Sequence, residues 1–415
     1  MIPPIGQGRL RPGQVIAAGC RDRRSRLRAV IGGHVFASRL DGFADSYHTF
    51  AMLKRTPLYD FHKNAGAKFV DFAGWEMPLL YKSIVEEHEQ TRRSGGLFDV
   101  SHMGRLSFKG PDADTFLNYV VTRNLTDQAI GQSRYALVCN AEGGVLDDVI
   151  VSRDARNWMM VCNASNREKL VAYFHDVRQA KGFDFDMADN TEATAMLAIQ
   201  GPKVLDRIAS IVDARNIRRY HFEHRTIMGF FQVTVFRSGY TGEDGVELII
   251  SAKLAGMATK AVGSGWEKLE ATVKPVGLGA RDTLRMEAAM PLYGHELTET
   301  GDPLSAGLAW AVSLDKDFVG AAALRKIHDA GPKRKLVGLE LDGKRIARPD
   351  TPVLLGGRQI GHVTSGTLSP TLQKSIAMAY VEAAHADEGT KLQVDLKGTT
   401  NPAVIVKLPF YKRAK

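Results

Sequence analysis

The sequence predicts an α+β protein of several domains, with a small antiparallel β-barrel or jelly roll at its C-terminal end. Three observations predict this class. The length of 415 residues suits two or three domains of about 150 residues each. Between residues 52 and 330, segments with helical spacing alternate with short apolar strands. Beyond Gly331, short strands separated by glycine turns follow one another without a clear helix.

The first 51 residues differ in composition from the rest, and we expect them to be a disordered basic extension. They hold eight arginines and three aspartates, so +5 of the net charge of +9 lies here. Many arginines and few acids are typical of a transit peptide, which would direct the protein to the mitochondrial matrix. The residues favour instead a start codon placed too far upstream, because Met52 opens the first globular segment. In a bacterium we expect a cytoplasmic protein.

The region 52–330 is expected to form two interleaved α+β subdomains. Ser83 is a helix N-cap with Glu86 three residues later, so a helix should cover 83–93. Further helices are expected at 112–121, 168–181, 202–211 and 277–289. A short strand and turn are expected at 69–75, and strand and turn again at 97–103 and 104–109. Strands are expected at 134–140, 145–151, 158–162, 196–200, 230–237 and 246–250.

The C-terminal barrel domain is expected to span residues 331–415. It begins after the polar segment G-P-K-R-K, which is typical of a domain boundary. Its strands are expected at 336–341, 352–355, 359–363, 376–381, 392–396 and 403–406.

Composition and missing motifs argue against several classes of protein. No apolar run reaches the roughly 18 residues that cross a bilayer, and the even charge outside the extension argues against a dedicated nucleic-acid binder. The sequence has no P-loop, no dinucleotide-binding G-x-G-x-x-G and no H-E-x-x-H. The cysteines Cys20, Cys139 and Cys162 lack C-x-x-C spacing, so we expect reduced thiols and no metal site.

Two adjacent acidic residues, Asp147 and Asp148, lie inside an apolar strand. Gly143-Gly144 marks a turn, so the flanking strands should form a hairpin. Side chains alternate along a strand, which puts Asp148 between Leu146 and Ile150 and Asp147 on the other face. Burying an unpaired charge is costly, so folding alone gives little reason for an acid there. The alternative is a strand end at which both acids reach water or cap neighbouring amides.

Two further charged residues occupy unusual positions. Glu247 lies in the middle of an apolar strand. Arg281 lies in the first turn of the helix at 277–289, where a cation opposes the helix dipole. Either a function or a salt bridge to Asp282 or Glu287 would explain this unfavourable position of Arg281. The residues alone favour the salt bridge.

The remaining polar residues suggest the kind of ligand. His102 and His295 are single histidines, which are more often structural than catalytic. Isolated acids and an arginine, with Tyr135 and Tyr240 near them in sequence, suit a flat heterocycle with a carboxylate tail. An acid accepts the paired donors of a pterin-like edge, tyrosines pack against the ring, and an arginine grips a carboxylate.

Eight motifs follow one another between residues 55 and 370. They are R-T-P-L-Y-D-F-H (55–62), F-A-G-W-E-M-P (72–78), F-D-V-S-H-M (98–103), G-G-V-L-D-D-V-I-V (143–151), L-A-I-Q-G-P (197–202), G-Y-T-G-E-D-G-V-E (239–247), G-L-G-A-R-D-T-L-R-M-E (277–287) and G-x-V-T-S-G-T-L-S-P (361–370). In this order they resemble the glycine cleavage system T-protein family, the tetrahydrofolate-dependent aminomethyltransferases. The resemblance runs from Arg55 to Tyr411.

The resemblance implies a folate-binding fold and a set of site residues. The implied residues are a catalytic carboxylate, Asp148, and the folate-binding residues Glu247, Arg281, Tyr135, Tyr240 and Tyr411. Glu247 would hold the pterin edge, and Tyr411 is the candidate for a C-terminal tyrosine contact of the family. The strand pattern agrees with the role of Asp148, because an acid between two apolar side chains loses its water. Asp147, on the opposite face of the strand, should then contribute less to the reaction than Asp148.

The resemblance also implies a reaction and its partners. The methylene carbon would pass from S-aminomethyldihydrolipoyl H-protein to tetrahydrofolate, giving 5,10-methylenetetrahydrofolate, ammonia and dihydrolipoyl H-protein. Tetrahydrofolate is a co-substrate, and no metal is implied. Lipoylated H-protein is the direct partner and the P- and L-proteins are indirect ones, with no nucleic acid or membrane involved.

Three alternatives remain. The methylene-capturing domain of dimethylglycine or sarcosine oxidising enzymes normally comes fused to a flavin domain, for which 415 residues leave no room. The folate-binding iron–sulfur assembly protein carries K-G-C-Y-x-G-Q-E, whereas the corresponding region, 303–320, has no cysteine. A non-enzymatic, basic-tailed binding module rests on residues 1–51 alone, and deletion of that tail would separate it from the enzyme.

Overall fold

The computed structural model describes residues 52–227, 229, 231–257 and 271–413. The predicted disordered extension, residues 1–51, lies outside this range. Within these residues, no helix has the length and apolar character required to cross a bilayer.

Strands and short helices alternate along the described chain. The helices are α1 (Tyr59–Asn64), α2 (Ile84–Arg93), α3 (Ala113–Val120), α4 (Arg167–Lys181), α5 (Val204–Ile208), α6 (Leu278–Glu287) and α7 (Ala321–Ala330). The strands before the barrel are β1 (Lys68–Phe72), β2 (Trp75–Leu80), β3 (Gly96–Asp99), β4 (Gly104–Lys109), β5 (Ser133–Cys139), β6 (Val145–Arg153), β7 (Trp158–Cys162), β8 (Asp186–Asp189), β9 (Thr194–Gln200), β10 (Phe222–Ile227), β11 (Phe231–Phe236), β12 (Gly245–Ser251) and β13 (Lys274–Pro275). The barrel strands are β14 (Arg334–Leu341), β15 (Pro352–Leu355), β16 (Arg358–Leu368), β17 (Ser375–Glu382), β18 (Lys391–Asp395) and β19 (Thr400–Val406).

A five-stranded antiparallel sheet, in the order β5-β6-β7-β4-β8, carries the predicted hairpin. Helix α3 packs on it because Ala113, Phe116, Leu117 and Val120 recur at helical spacing and are all buried. Phe116 contacts Phe174 of α4 edge-on, with ring centroids 5.6 Å apart. This aromatic core fixes the sheet beneath the hairpin.

A six-stranded sheet, in the order β10-β11-β12-β9-β3-β13, interleaves with the first along the chain. Strand β3 precedes the first sheet, whereas β9 to β12 follow it. Strand β12 lies between β11 and β9, so Glu247 is opposite Phe236 on one side and Ala198 on the other. The mid-strand position predicted for Glu247 is therefore confirmed.

The C-terminal strands close into a barrel in the order β14-β17-β16-β15-β18-β19, and β14 pairs with β19. Six strands were expected here, and each lies at its predicted place. Closure leaves no unpaired strand edge, which a free antiparallel sheet would expose. The predicted α+β class with a C-terminal barrel is confirmed.

Some elements differ from the sequence prediction. The helix expected at 202–211 is reduced to the five residues of α5. Strand β10 and helix α7 had not been predicted. Four central residues of β10 are exposed, so this segment shows no clear apolar period. Helix α7 places Ala321, Leu324 and Ile327 at helical spacing against the core, a pattern that the sequence prediction overlooked.

A buried glutamate joins the barrel to the rest of the described chain. Glu287, at the end of α6, accepts hydrogen bonds from Arg92 of α2 and from Ser369 next to the barrel. Its carboxylate also lies 3.2 Å from His88 Nε2. The backbone N–H of Tyr411 donates to the Glu287 carbonyl at 2.8 Å, so the C-terminal tail is attached at the same point.

Candidate active site

The predicted hairpin turn is tightly packed. Gly143 has φ of +84°, a conformation that glycine adopts without strain. A Cβ on Gly144 would lie 1.7 Å from the Glu299 carbonyl oxygen, so no larger residue fits there. The turn sets the register in which Leu137 faces Asp148 and Tyr135 faces Ile150 across the β5–β6 pair.

The two acids of β6 share one hydrogen-bond donor. Asp147 is fully buried and accepts hydrogen bonds from the Asn163 backbone N–H at 2.9 Å, from Asn163 Nδ2 at 2.7 Å and from Asn166 Nδ2 at 2.7 Å. Asp148 is half-buried, and its Oδ1 accepts from the same Asn163 Nδ2 at 2.8 Å. The alternative in which both acids reach bulk water is therefore wrong for Asp147.

Both carboxyls hold their protons more tightly than an ordinary aspartic acid. Burial raises the pKa of Asp147 and of Asp148 above the usual 3.8, and the negative charge of Asp148 raises that of Asp147 further. The hydrogen bonds from Asn163 favour the ionised forms and oppose this shift. A carboxylate whose pKa approaches neutrality is a better proton acceptor at working pH.

A cavity of about 610 Å³ lies where the two sheets, helix α6 and the C-terminal tail meet. Asp148, Tyr135, Tyr240, Glu247 and Arg281 all line it. Five of the six predicted site residues are therefore gathered in one cavity, although they are up to 146 residues apart in sequence.

Arg281 forms neither of the salt bridges that the sequence favoured. Asp282 pairs with Arg285 at 2.8 Å and Glu287 pairs with Arg92 at 2.9 Å, so both acids have other partners. The Arg281 guanidinium instead lies over the Tyr240 ring, 4.8 Å from its centroid. The salt-bridge interpretation was wrong because it considered only acids on the same helix.

Three buried polar atoms in the cavity wall have no hydrogen-bond partner among the described residues: Tyr135 Oη, Arg281 Nη1 and His102 Nδ1. Buried polar groups are nearly always satisfied, and leaving one unpaired costs about 1–3 kcal/mol. The Tyr135 ring is held by stacking on Trp310, with centroids 5.4 Å apart. A wall with three such atoms fits a polar ligand.

Tyr411 is not among the residues that line the cavity. Its ring covers the Arg92 guanidinium, 3.9 Å from the ring centroid. The tail nevertheless reaches the cavity earlier, through Leu408 and Pro409. The structure thus groups Tyr411 with the Glu287 junction and separates it from the other five predicted residues.

Sequence reasoning missed two polar residues of this cavity. Asn163 follows β7, in a C-N-A-S-N segment that carries no recognisable motif, and its role is visible only once β7 lies beside β6. His102 lies in the F-D-V-S-H-M motif but was treated as structural. It lines the cavity with only 5% of its surface exposed.

Comparison with known proteins gives consistent matches over nearly the whole described chain. The GCVT N-terminal domain matches residues 58–316, and the glycine cleavage T-protein C-terminal barrel domain matches residues 334–412. An aminomethyltransferase of Rubrobacter xylanophilus is 46% identical over 368 residues, covering 88% of this chain and 95% of the relative. An aminomethyltransferase of Symbiobacterium thermophilum is 42% identical, covering 87% of this chain and 98% of the relative. The crystal structure of glycine cleavage system aminomethyltransferase T from Bartonella henselae has a TM-score of 0.81 and 35% identity, covering 87% of this chain and 98% of that chain.

Proposed function

The chain belongs to the glycine cleavage T-protein family and is an enzyme of the aminomethyltransferase type, and from this premise we propose its reaction. It transfers the methylene carbon of an aminomethyl group, carried on the dihydrolipoyl arm of H-protein, to tetrahydrofolate. The products are 5,10-methylenetetrahydrofolate, ammonia and dihydrolipoyl H-protein. Tetrahydrofolate supplies the two amine nitrogens that receive the carbon.

One observation supports this reaction above the others. A half-buried aspartate, a mid-strand glutamate and an arginine without an ion pair among the described residues share one cavity, whose wall has three unsatisfied polar atoms. The volume of about 610 Å³ is within the range of small-molecule sites. The donors and acceptors present suit a reduced folate, which offers a heterocycle with paired donors and a carboxylate tail.

Glu247 and Arg281 are assigned to binding the folate. Glu247 lies on β12 and accepts a hydrogen bond from Ser238, which fixes one carboxylate oxygen. A carboxylate receives the two parallel donors of a pterin edge more strongly than a neutral acceptor does. Burial lowers the pKa of Arg281, and the negative charge of Glu247 opposes that shift. Tyr240, beneath Arg281, offers a flat surface for the ring.

Asp148 is assigned the chemical step. Its carboxylate orients the attacking amine, takes up the proton that the amine loses and stabilises positive charge on the transferred carbon. Burial raises its pKa, so it accepts a proton more readily than an exposed aspartate. Asn163 donates a hydrogen bond to Asp148 Oδ1 and so holds the carboxylate in one orientation.

The mouth of the cavity supports a substrate delivered on an apolar arm. Trp310 and Tyr220 line the cavity and yet leave 59% and 51% of their surfaces exposed. A lipoyl arm is a thin apolar chain, and aromatic side chains at the mouth bury it favourably. We assign this opening to the lipoylated H-protein.

The reaction is tested with H-protein loaded with the aminomethyl group. Ammonia should be released rapidly only when tetrahydrofolate is present, with one methylenetetrahydrofolate formed per ammonia. Free aminomethyl thiols without H-protein serve as the control for carrier recognition. Release at the same rate without tetrahydrofolate would contradict the proposal.

A further inference from the structure

His102 is a buried imidazole whose Nδ1 has no hydrogen-bond partner within the described part of the chain. It follows strand β3 in a turn, lines the cavity and is only 5% exposed. The Phe72 ring contacts it edge-on, with centroids 5.4 Å apart. No described residue forms a hydrogen bond with Nδ1.

Two other buried histidines of the described chain, His62 and His88, have both ring nitrogens bonded. His62 contacts Asp99 through Nε2 and Tyr81 through Nδ1, both at 2.8 Å. His88 contacts Thr283 at 2.7 Å and Thr371 at 2.9 Å. A neutral imidazole has one donor and one acceptor, and the fold satisfies both in these two residues. His102 differs from these two histidines because it lines the cavity and keeps one ring nitrogen unpaired among the described residues.

His102 is uncharged at any physiological pH. Burial, aided by the positive charges of Arg281 and Arg105 and opposed by Asp99, lowers its pKa to about 3. It is therefore a hydrogen-bonding group and neither a general acid nor an ion-pair partner at pH 7. His102 lines the same cavity as Glu247 and Arg281.

We propose that His102 is a further ligand-binding residue, whose Nδ1 forms a hydrogen bond with the pterin ring of the bound folate. This inference rests on the proposed function. The pterin has an oxo group and ring nitrogens next to the edge that we assign to Glu247, so an acceptor or a donor is available there. The bond would satisfy a buried atom that otherwise costs free energy in the unliganded protein.

The test compares binding of tetrahydrofolate with binding of tetrahydropterin, which lacks the aminobenzoylglutamate tail, by anaerobic calorimetry. His102→Phe keeps a flat ring and removes both nitrogens. This variant should lower the affinity for both ligands by the same factor, roughly fivefold to tenfold, which is the effect of one neutral hydrogen bond. His102→Asn places an amide near the position of Nδ1 and should recover part of the loss.

His295→Phe is the matched control. His295 Nε2 is also buried and without a partner among the described residues, but His295 does not line the cavity. This variant should bind both ligands as the wild type does. A direct measurement on the unaltered protein is the ¹⁵N resonance of His102 Nδ1, which should shift when tetrahydropterin is added.

The outcomes separate the two proposals. Unchanged affinity of His102→Phe for both ligands, with an unshifted Nδ1 resonance in the wild type, overturns the role of His102 and leaves the proposed function standing. If His102→Phe loses affinity for tetrahydrofolate but not for tetrahydropterin, the contact with the pterin is also overturned. A wild type that binds neither ligand contradicts the proposed function, and the assignment of His102 with it.

Discussion

Asp147 and Asp148 are neighbours on one strand, and their carboxylates accept hydrogen bonds from a single nitrogen, Asn163 Nδ2, at 2.7 and 2.8 Å. A buried acid and a half-buried acid that share a donor influence each other's protonation. Asp147 is closed off from the cavity, whereas Asp148 lines it. The pair therefore has one member that lines the cavity and one that is linked to it through Asn163.

Asp148→Asn should abolish most of the tetrahydrofolate-dependent release of ammonia. Removing a positioned general base typically costs roughly 10²- to 10⁴-fold in rate, and we expect a loss in this range in kcat. Asp147→Asn should cost less, because Asp147 does not line the cavity. Steady-state assays with aminomethyl-loaded H-protein compare the kcat of the wild type with that of the two variants. Equal activity in all three would remove Asp148 from the mechanism.

Asn163→Ala should shift the pH dependence of the reaction. The Asn163 amide favours the ionised form of Asp148, so its loss should raise the pKa of that carboxyl. The acidic limb of the plot of kcat/KM against pH should then move to higher pH. Asn166→Ala is the control, because Asn166 donates to Asp147 and not to Asp148. An acidic limb that stays in place in Asn163→Ala would count against the assigned role of Asp148.

Glu247→Gln should weaken the binding of tetrahydrofolate. Glutamine has one acceptor oxygen and no charge, so it cannot receive two parallel donors on two oxygens as a carboxylate does. A charge-assisted hydrogen bond contributes about 1.5–3 kcal/mol, so we expect Kd to increase roughly 10- to 100-fold. Titration calorimetry measures the change. Glu340→Gln is the control, since Glu340 pairs with Lys374 on the barrel. Identical affinities of the two variants would show that Glu247 does not contact the ligand.

The acid pair should make the folded state less stable as the pH rises. Burial raises both carboxyl pKa values above 3.8, so between about pH 4 and neutrality the folded state binds more protons than the unfolded state. The contribution of these groups to the free energy of unfolding therefore falls as the pH increases. Replacing the acid in Asp148→Asn removes part of this dependence. The difference in Tm, variant minus wild type, should be more positive at pH 7.5 than at pH 5; the opposite trend would contradict burial of the charge.

Glu287→Gln should destabilise the fold strongly. Although burial opposes ionisation, hydrogen bonds from His88 and Ser369 and the charge of Arg92 lower the pKa of Glu287 to about 2, so it is ionised at pH 7. Breaking one side of a buried ion pair costs about 3–5 kcal/mol. Urea unfolding at pH 7 measures the loss.

An exposed glutamate provides the control for Glu287→Gln. Glu382 pairs with Arg358 on the barrel surface, where an ion pair contributes about 0–1 kcal/mol. Glu382→Gln should therefore leave the urea midpoint almost unchanged. Comparable midpoints for the two variants would mean that Glu287 does not hold the barrel in place.

The barrel and the β5–β6 hairpin could be predicted because their signals are local. Period-two alternation and glycine turns reflect backbone preferences over a few residues, and each barrel strand lay where these signals put it. The same local pattern identified Asp148 and Glu247 as acids inside strands. Elements without a clear apolar period, such as β10, could not be found in this way.

Sequence by itself determined the fold class, the family and five residues that share the cavity. Only the tertiary structure decided that Arg281 has no ion pair among the described residues, that Asn163 joins two acids and that Tyr411 lies on Arg92. The physical reason is that a hydrogen bond or ion pair depends on which distant segments pack together. Arg92 and Glu287 are 195 residues apart, and no local pattern pairs them. Residue spacing determines the elements, whereas their packing determines which polar atoms remain free for a ligand.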